Sequence, residues 1–341
     1  MPQVSRALLA ILALVLIGSL SPLSAATRVA SEPGFSGYAG IGVSSISIRS
    51  NLIAGDTGND RIDDLESSPS RNSTSNGSPT LSLTYTFDNL QTEVFLGNSV
   101  EDFIRFDLTT AIGLRHQVEG TGIFEIVALT TPSPADIWSD PYLTGADREE
   151  TERTANGIRL EWGAILDSGF DLRLSLRDNE LDDENSGDAL VAANEITIAE
   201  QALLDRNGDI NTLSVLHSWR REYGASTTLA LNLIERDLDG GAMALDGYTL
   251  QLTDVRVLGP KLRVVGNLFY GQFDHDETNP VFDRRNDSEF TAIGLSLFYR
   301  DPFDAKGWVV NAIFAYAEEE NEIDFYDTTV SFANVGLLYT F

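Results

Sequence analysis

The strongest constraint on this chain is a rhythm of strand-like segments in which short and long connections take strict turns. Runs of alternating apolar and polar residues occupy 35–49, 79–87, 90–97, 104–118, 122–130, 156–166, 169–177, 210–222, 225–237, 246–258, 261–273, 289–300, 307–319 and 329–341. The short connections are "FDNL", "VEGTG", "LDSGF", "REYGA", "LGPKL" and "RDPFDAKGW". The long ones are 50–78, 98–103, 131–155, 178–209, 238–245, 274–288 and 320–328. A soluble sandwich has no reason to gather its long loops at one end. A transmembrane antiparallel up-and-down β-barrel does so, with short turns on one side of the membrane and long loops on the other. The expected fold is therefore all-β, with about 14 strands, and 12 or 16 also fit the pattern.

The sense of the alternation agrees. Leu81, Leu83, Tyr85 and Phe87 share one face against Ser82, Thr84 and Thr86, and Leu172, Leu174 and Leu176 alternate with Arg173, Ser175 and Arg177. Charges fall where a lumen would be. In lipid every backbone polar group needs an internal partner, so an open sheet is excluded and the barrel must close. The chain ends on "SFANVGLLYTF", whose Ala333, Val335, Leu337, Tyr339 and Phe341 form one apolar face. This last strand is expected to pair with the first. Aromatics gather beside the short turns: Tyr85, Phe87, Phe170, Trp219, Tyr223, Phe298, Tyr299, Trp308, Tyr339 and Phe341. They read as an interfacial girdle. The apolar phase slips near Leu216 and near Thr253–Asp254, where β-bulges are expected, and run 122–130 fits either register.

At the other end, Arg6 precedes the apolar run "ALLAILALVLIGSL", then "SPLSAAT" places small residues at Ser24 and Ala26. That is the pattern of a signal peptide over residues 1–26, cut after Ala26, leaving 27–341 as the barrel. The chain has no cysteine and a formal charge of −29. So acidic a surface excludes nucleic acid as a partner and suits divalent cations.

Several segments resemble a gammaproteobacterial outer-membrane family, the domain of unknown function 2860. They are "GFSGYAGIGVSSISIRSNLIAG" (34–55), "FLGNSVEDF" (95–103), "IWSDPYLTG" (137–145), "LRDNELDDENSG" (176–187), "NPVF" (279–282) and "NEIDFYD" (321–327). The resemblance implies location in the bacterial outer membrane and a barrel shape, and it carries no reaction or ligand. Tyr339 and the terminal Phe341 likewise resemble the C-terminal signal that the barrel assembly machinery reads in its clients.

The chemistry is sparse. His116, His217 and His275 lack a nucleophile setting, although His217 neighbours Ser214 and Ser218, and no zinc spacing is present. "LLDRNGDIN" spaces Asp205, Asn207 and Asp209 two apart, a pattern that wraps calcium, the one candidate cofactor. The preceding "ALVAANEITIAEQALL" could be an entering helix capped around Asn194. However, glycine stands fourth rather than sixth, and Leu216 occupies the place of the bidentate glutamate, so an Asn-Gly turn into a strand competes. Glu93, Asp107, Arg115, Arg159, Glu161, Arg173, Arg177 and Arg263 are the charges expected on the lumen wall. Arg159 and Arg173 are expected to form a positive band with Arg177, with Glu161 as a nearby counter-charge. The preferred function is a passive, porin-like channel for small hydrophilic solutes, in a monomer. The alternative is a non-conducting barrel whose acidic loops bind cations or lipopolysaccharide, or make surface contacts. A membrane-embedded hydrolase is a third class without a constellation behind it.

Overall fold

The computed structural model describes residues 29–57, 59–66, 69–98, 110–131 and 134–341. The proposed leader and Asp107 lie outside the described residues. The strands are β1 (Gly34–Arg49), β2 (Arg71–Thr86), β3 (Thr92–Asn98), β4 (Thr110–Val118), β5 (Gly122–Thr130), β6 (Ala135–Trp138), β7 (Glu150–Gly163) and β8 (Phe170–Leu181). They continue as β9 (Gly208–Arg220), β10 (Ser226–Leu238), β11 (Leu245–Leu258), β12 (Leu262–His275), β13 (Ser288–Arg300), β14 (Trp308–Asn321) and β15 (Thr328–Thr340). Each wall strand pairs antiparallel with its neighbours in sequence, and β1 pairs with β15 from Tyr38↔Thr340 to Arg49↔Thr329. Because β5 pairs directly with β7, short β6 stands outside the ring, against the first residues of β7. The result is a closed 14-stranded barrel. The terminal residue takes part in closure: Gly37 and Phe341 exchange two backbone hydrogen bonds, at 3.0 and 3.1 Å. Among the described residues no helix is long and apolar enough to cross a membrane, which is no obstacle to a barrel crossing with strands.

Each wall strand has an apolar face turned out. On β15, Val335 is 57% exposed while its neighbour Asn334 is 1% exposed. Such a belt of Leu, Ile, Val and Phe would be an aggregation liability in water and is satisfied by lipid. Near the short turns the outward aromatics touch in pairs, Phe35 with Tyr85 at 4.8 Å and Trp308 with Tyr339 at 5.2 Å. Leu90, Leu166, Tyr223 and Phe303 occupy the tips of four short turns at positive φ and project outward. A left-handed conformation in a bulky residue costs about 1–2 kcal/mol. The tight reversals impose it, and the exposed apolar tips extend the girdle.

Three expectations need correction. No bulge interrupts β9 or β11, because their registers with both neighbours run unbroken. The phase seemed to slip because apolar residues sit on the inner face: Leu216 is 2% and Val255 0% exposed. Phe298 likewise leaves the girdle, since it points inward and packs with Val255, Val265, Val309 and Leu338. Finally, β2 and β7 begin earlier than their apolar alternation, at Arg71 and Glu150. Those extensions carry polar residues, which apolar periodicity does not detect.

Candidate functional site: the lumen and its cap

The long loops are not a loose acidic fringe. Tyr142, Leu190, Ile196, Leu204, Ile323, Phe325 and Tyr326 form a buried core, with Leu52, Ile62, Met243, Val281 and Phe282 packed on it. These residues come from six different long loops, so the loops make one cap. At its centre the hydroxyls of Tyr142 and Tyr326 meet at 2.5 Å, and the Asn279 side-chain amide donates to the Tyr326 hydroxyl at 2.7 Å. Burial pushes the Tyr142 phenol up to about 12, so it remains protonated at neutral pH. The family-like motifs at 137–145, 279–282 and 321–327 supply residues of this core.

Two buried arginines bind the cap to itself. Arg148 lies over the Trp138 ring at 4.4 Å and donates to the carbonyls of Asn51, Pro141 and Asn59. Burial lowers its guanidinium to about 10, so it stays charged at neutral pH. Arg206 donates to the carbonyls of Trp138 and Ser139, both at 2.9 Å, and to Glu184 at 2.8 Å. Asp140 accepts from the amides of Tyr142, Gly187 and Ala189, each at 3.0 Å, which fixes the start of helix α1 (Asp188–Ala192). Helix α2 (Ile198–Gln201) is capped by a Thr197–Glu200 capping box, whereas Asn194, the expected cap, turns the chain at φ +60° beyond the end of α1. At the cap's edge, Asp136 is raised to about 6, by burial first and then by Glu150, Glu152 and Asp56.

Toward the short-turn end the lumen wall carries a cross-strand ladder. Glu93 pairs with Arg115, Arg115 with Glu125, Glu125 with Glu161 and Glu161 with Arg173, each directly opposite the next. Arg115 reaches both Glu93 at 2.9 Å and Glu125 at 2.6 Å, and Arg173 reaches Glu161 at 2.8 Å. The two adjacent carboxylates, Glu125 and Glu161, depend on those flanking arginines. Glu93 also accepts from Thr86 and from the amide of Ala30. Arg173 is thus an ion-paired wall residue rather than part of a positive band. Glu125 escaped sequence reading because the alternating residues of 122–130 are apolar on both faces.

Farther toward the cap the balance changes. Arg159 and Arg177 face the lumen from β7 and β8, joined there by Arg153 and Arg236, which sequence reading placed in a loop and at a strand end. Arg153 lies within electrostatic reach of Arg236 and Arg206. Among the described residues neither Arg159 nor Arg236 has a carboxylate at ion-pair distance and the buried Arg159 Nε has no hydrogen-bond partner, although Arg159 lies within electrostatic reach of Glu125 and Glu161. Around the ring, β12 to β15 and β1 present an apolar inner wall: Ile46, Ile48, Phe269, Phe273, Phe290, Ile313, Val330 and Phe332. In a 14-stranded ring β7 and β8 stand opposite β14 and β15, so the cationic and apolar walls face each other. Arg236 marks one seam between them, with its guanidinium 5.8 Å from the centroid of the Phe273 ring.

The remaining expected site residues are scattered. Arg263 faces the lumen beside Phe298, close to the short-turn end. Asp205 accepts from the backbone and side-chain amides of nearby Asn207, whose side-chain Oδ1 accepts from the Leu181 amide. Asp209 projects to the exposed side of β9, between Asp178 and Asp237. The segment is thus an Asx turn entering a strand, and its oxygens are not gathered on one point. Tyr339 and Phe341 both project from the outer face at the short-turn end. His217 lies between Phe170 at 4.3 Å and Trp219 at 4.5 Å on that face, while Ser214 and Ser218 point inward. His116 meets Thr92 at 2.9 Å.

A family model described as "Protein of unknown function (DUF2860)" matches residues 34–340. No curated protein matches the chain. Among solved structures, the outer membrane channel DcaP of Acinetobacter baumannii is similar at 10% identity and a TM-score of 0.46, covering 90% of this chain and 98% of that one. The CymD monoaromatic hydrocarbon channel is similar at 10% identity and a TM-score of 0.46, covering 94% and 95%. OmpT of Vibrio cholerae is similar at 9% identity and a TM-score of 0.39, covering 92% and 100%.

Proposed function

This chain belongs to the DUF2860 family of proteins of unknown function, and from its lumen we propose that it serves in the bacterial outer membrane as a passive channel for small hydrophilic solutes. The observation that carries this reading is the lumenal placement of Arg159 and Arg236 without acidic partners at ion-pair distance among the described residues. A half-buried guanidinium without a directly paired carboxylate is costly, Arg159 feeling only the more distant Glu125 and Glu161, so a barrel that merely needed filling has no use for one. A wall that meets solute and water does. The reading assigns no reaction to the protein.

The cap favours a second reading, a non-conducting barrel whose outer loops form a surface structure and whose acidic side chains bind cations or lipopolysaccharide. A cap with its own apolar core is more than a channel mouth needs. Within the channel reading, the same cap is the gate. Conductance of the refolded full-length protein in a planar bilayer separates the two. Discrete openings are expected of the channel, and silence in both wild type and a cap-loosened variant supports the second reading.

A further inference from the structure

We infer that the solute preferred by this lumen is a small amphipathic anion: a compact apolar body, aromatic or branched aliphatic, bearing one carboxylate. The inference rests on the channel reading and specifies its solute. Its basis is the facing of two unlike walls across the lumen. A simple inorganic anion would need the arginines alone. A hydrocarbon would need the apolar wall alone, and would leave the guanidiniums dehydrated beside it. A carboxylate on an apolar body satisfies both at once.

The seam residues sharpen this. Arg236 stands beside the Phe273 ring, and Phe273 belongs to the same packed wall as Phe269, Phe290 and Phe332. A carboxylate held by Arg236 would lay its attached body on that wall. Arg159 is the next cation toward the short-turn end, two residues along β7 from Glu161 and diagonal to Glu125. It forms the last step before the ion-paired ladder. Planar guanidinium recognises carboxylate by paired hydrogen bonds and stays charged at any workable pH, so neither step depends on titration. Glu319, an acid on the inner face of β14, accepts from the Ser288 hydroxyl at 3.0 Å.

The test uses the full-length protein in planar bilayers, with bi-ionic reversal potentials for sodium benzoate and sodium acetate, each against chloride. Calorimetric titration of the detergent-solubilised barrel with benzoate, acetate and benzyl alcohol accompanies it. Benzoate is expected to exceed acetate in permeability by about tenfold, the scale of partly burying an aromatic body, since the carboxylate contact is common to both. Arg236→Gln and Arg159→Gln should each weaken benzoate and acetate alike and leave benzyl alcohol binding unchanged. Phe273→Ser should lower benzoate and spare acetate. Heat-modifiable migration establishes that each variant is a folded barrel. A conducting channel that passes acetate as well as benzoate overturns this inference and leaves the channel reading in place. A silent barrel that still binds benzoate through Arg236 removes the channel reading and keeps the ligand class. Silence without binding removes both.

Discussion

Tyr142 and Tyr326, far apart in sequence, place their hydroxyls 2.5 Å from each other in the core of the cap. Asn279 completes the group by donating to the same Tyr326 oxygen. Tyr326→Phe keeps the ring and its packing against Phe325 and Phe282, and removes only the oxygen. It leaves the Asn279 amide and the Tyr142 hydroxyl short of a partner, at a cost of about 1–3 kcal/mol. Limited proteolysis of the refolded barrel should cut the long loops faster in this variant, with the barrel's melting unchanged. Equal cutting rates would mean that packing alone holds the cap.

The ladder at the short-turn end predicts an order of severity. Arg115→Ala strands Glu93 and Glu125, both buried, and should cost about 3–5 kcal/mol. Glu125→Gln removes one of two facing carboxylates and still accepts from Arg115, so it should cost far less. Urea midpoints of folded barrels in micelles measure both. Equal losses would show that Arg115 acts chiefly by packing on Phe95, whose ring lies 4.9 Å from its guanidinium.

Acid should tighten the cap's edge. Asp136 is raised to about 6, above its unfolded value near 4, by burial and three neighbouring carboxylates. Between those two values the folded state holds more protons than the unfolded one, so stability from this group falls as pH rises through that window. Hydrogen exchange around 135–138 should therefore be slower at pH 5 than at pH 7, after correction for intrinsic rates. Asp136→Asn should abolish the difference. A difference that survives the substitution belongs to another group.

The barrel was legible because lipid enforces alternation on one face of every strand, and because the chain's last strand had to close the ring. What escaped was whatever the lipid does not police. Leu216 and Val255 broke the apparent phase because a lumen wall is free to be apolar. Glu125 hid in a run apolar on both faces. Arg153 lay in a strand extension with no apolar alternation. The cap's core residues, Tyr142, Phe325 and Tyr326, come from loops without periodicity, and only tertiary contact reveals them. Of the lumen residues, Arg159, Arg173 and Arg177 were readable from register, with Glu161 as a nearby counter-charge, whereas the direct pairing that takes Arg173 out of a positive band needed the structure.

Phe341 closes the ring through its exchange with Gly37 and shows its ring to lipid. Deleting it removes both hydrogen bonds and the terminal aromatic. We expect a lower yield of heat-modifiable barrel in the outer membrane, with near-normal stability of the fraction that folds. Normal yield would reduce Phe341 to local packing.

The most direct test of the lumen's role is the reversal potential of refolded full-length protein in a potassium chloride gradient, wild type against Arg159→Ala/Arg236→Ala. Neither arginine has a carboxylate at ion-pair distance among the described residues, so on the channel reading their charge favours anions inside the barrel. Wild type should conduct with preference for chloride, and the double variant should move toward potassium while still migrating as a folded barrel. A wild type that stays silent even with Tyr326→Phe in the cap, or a reversal potential that the double variant leaves unmoved, would contradict a channel governed by these side chains.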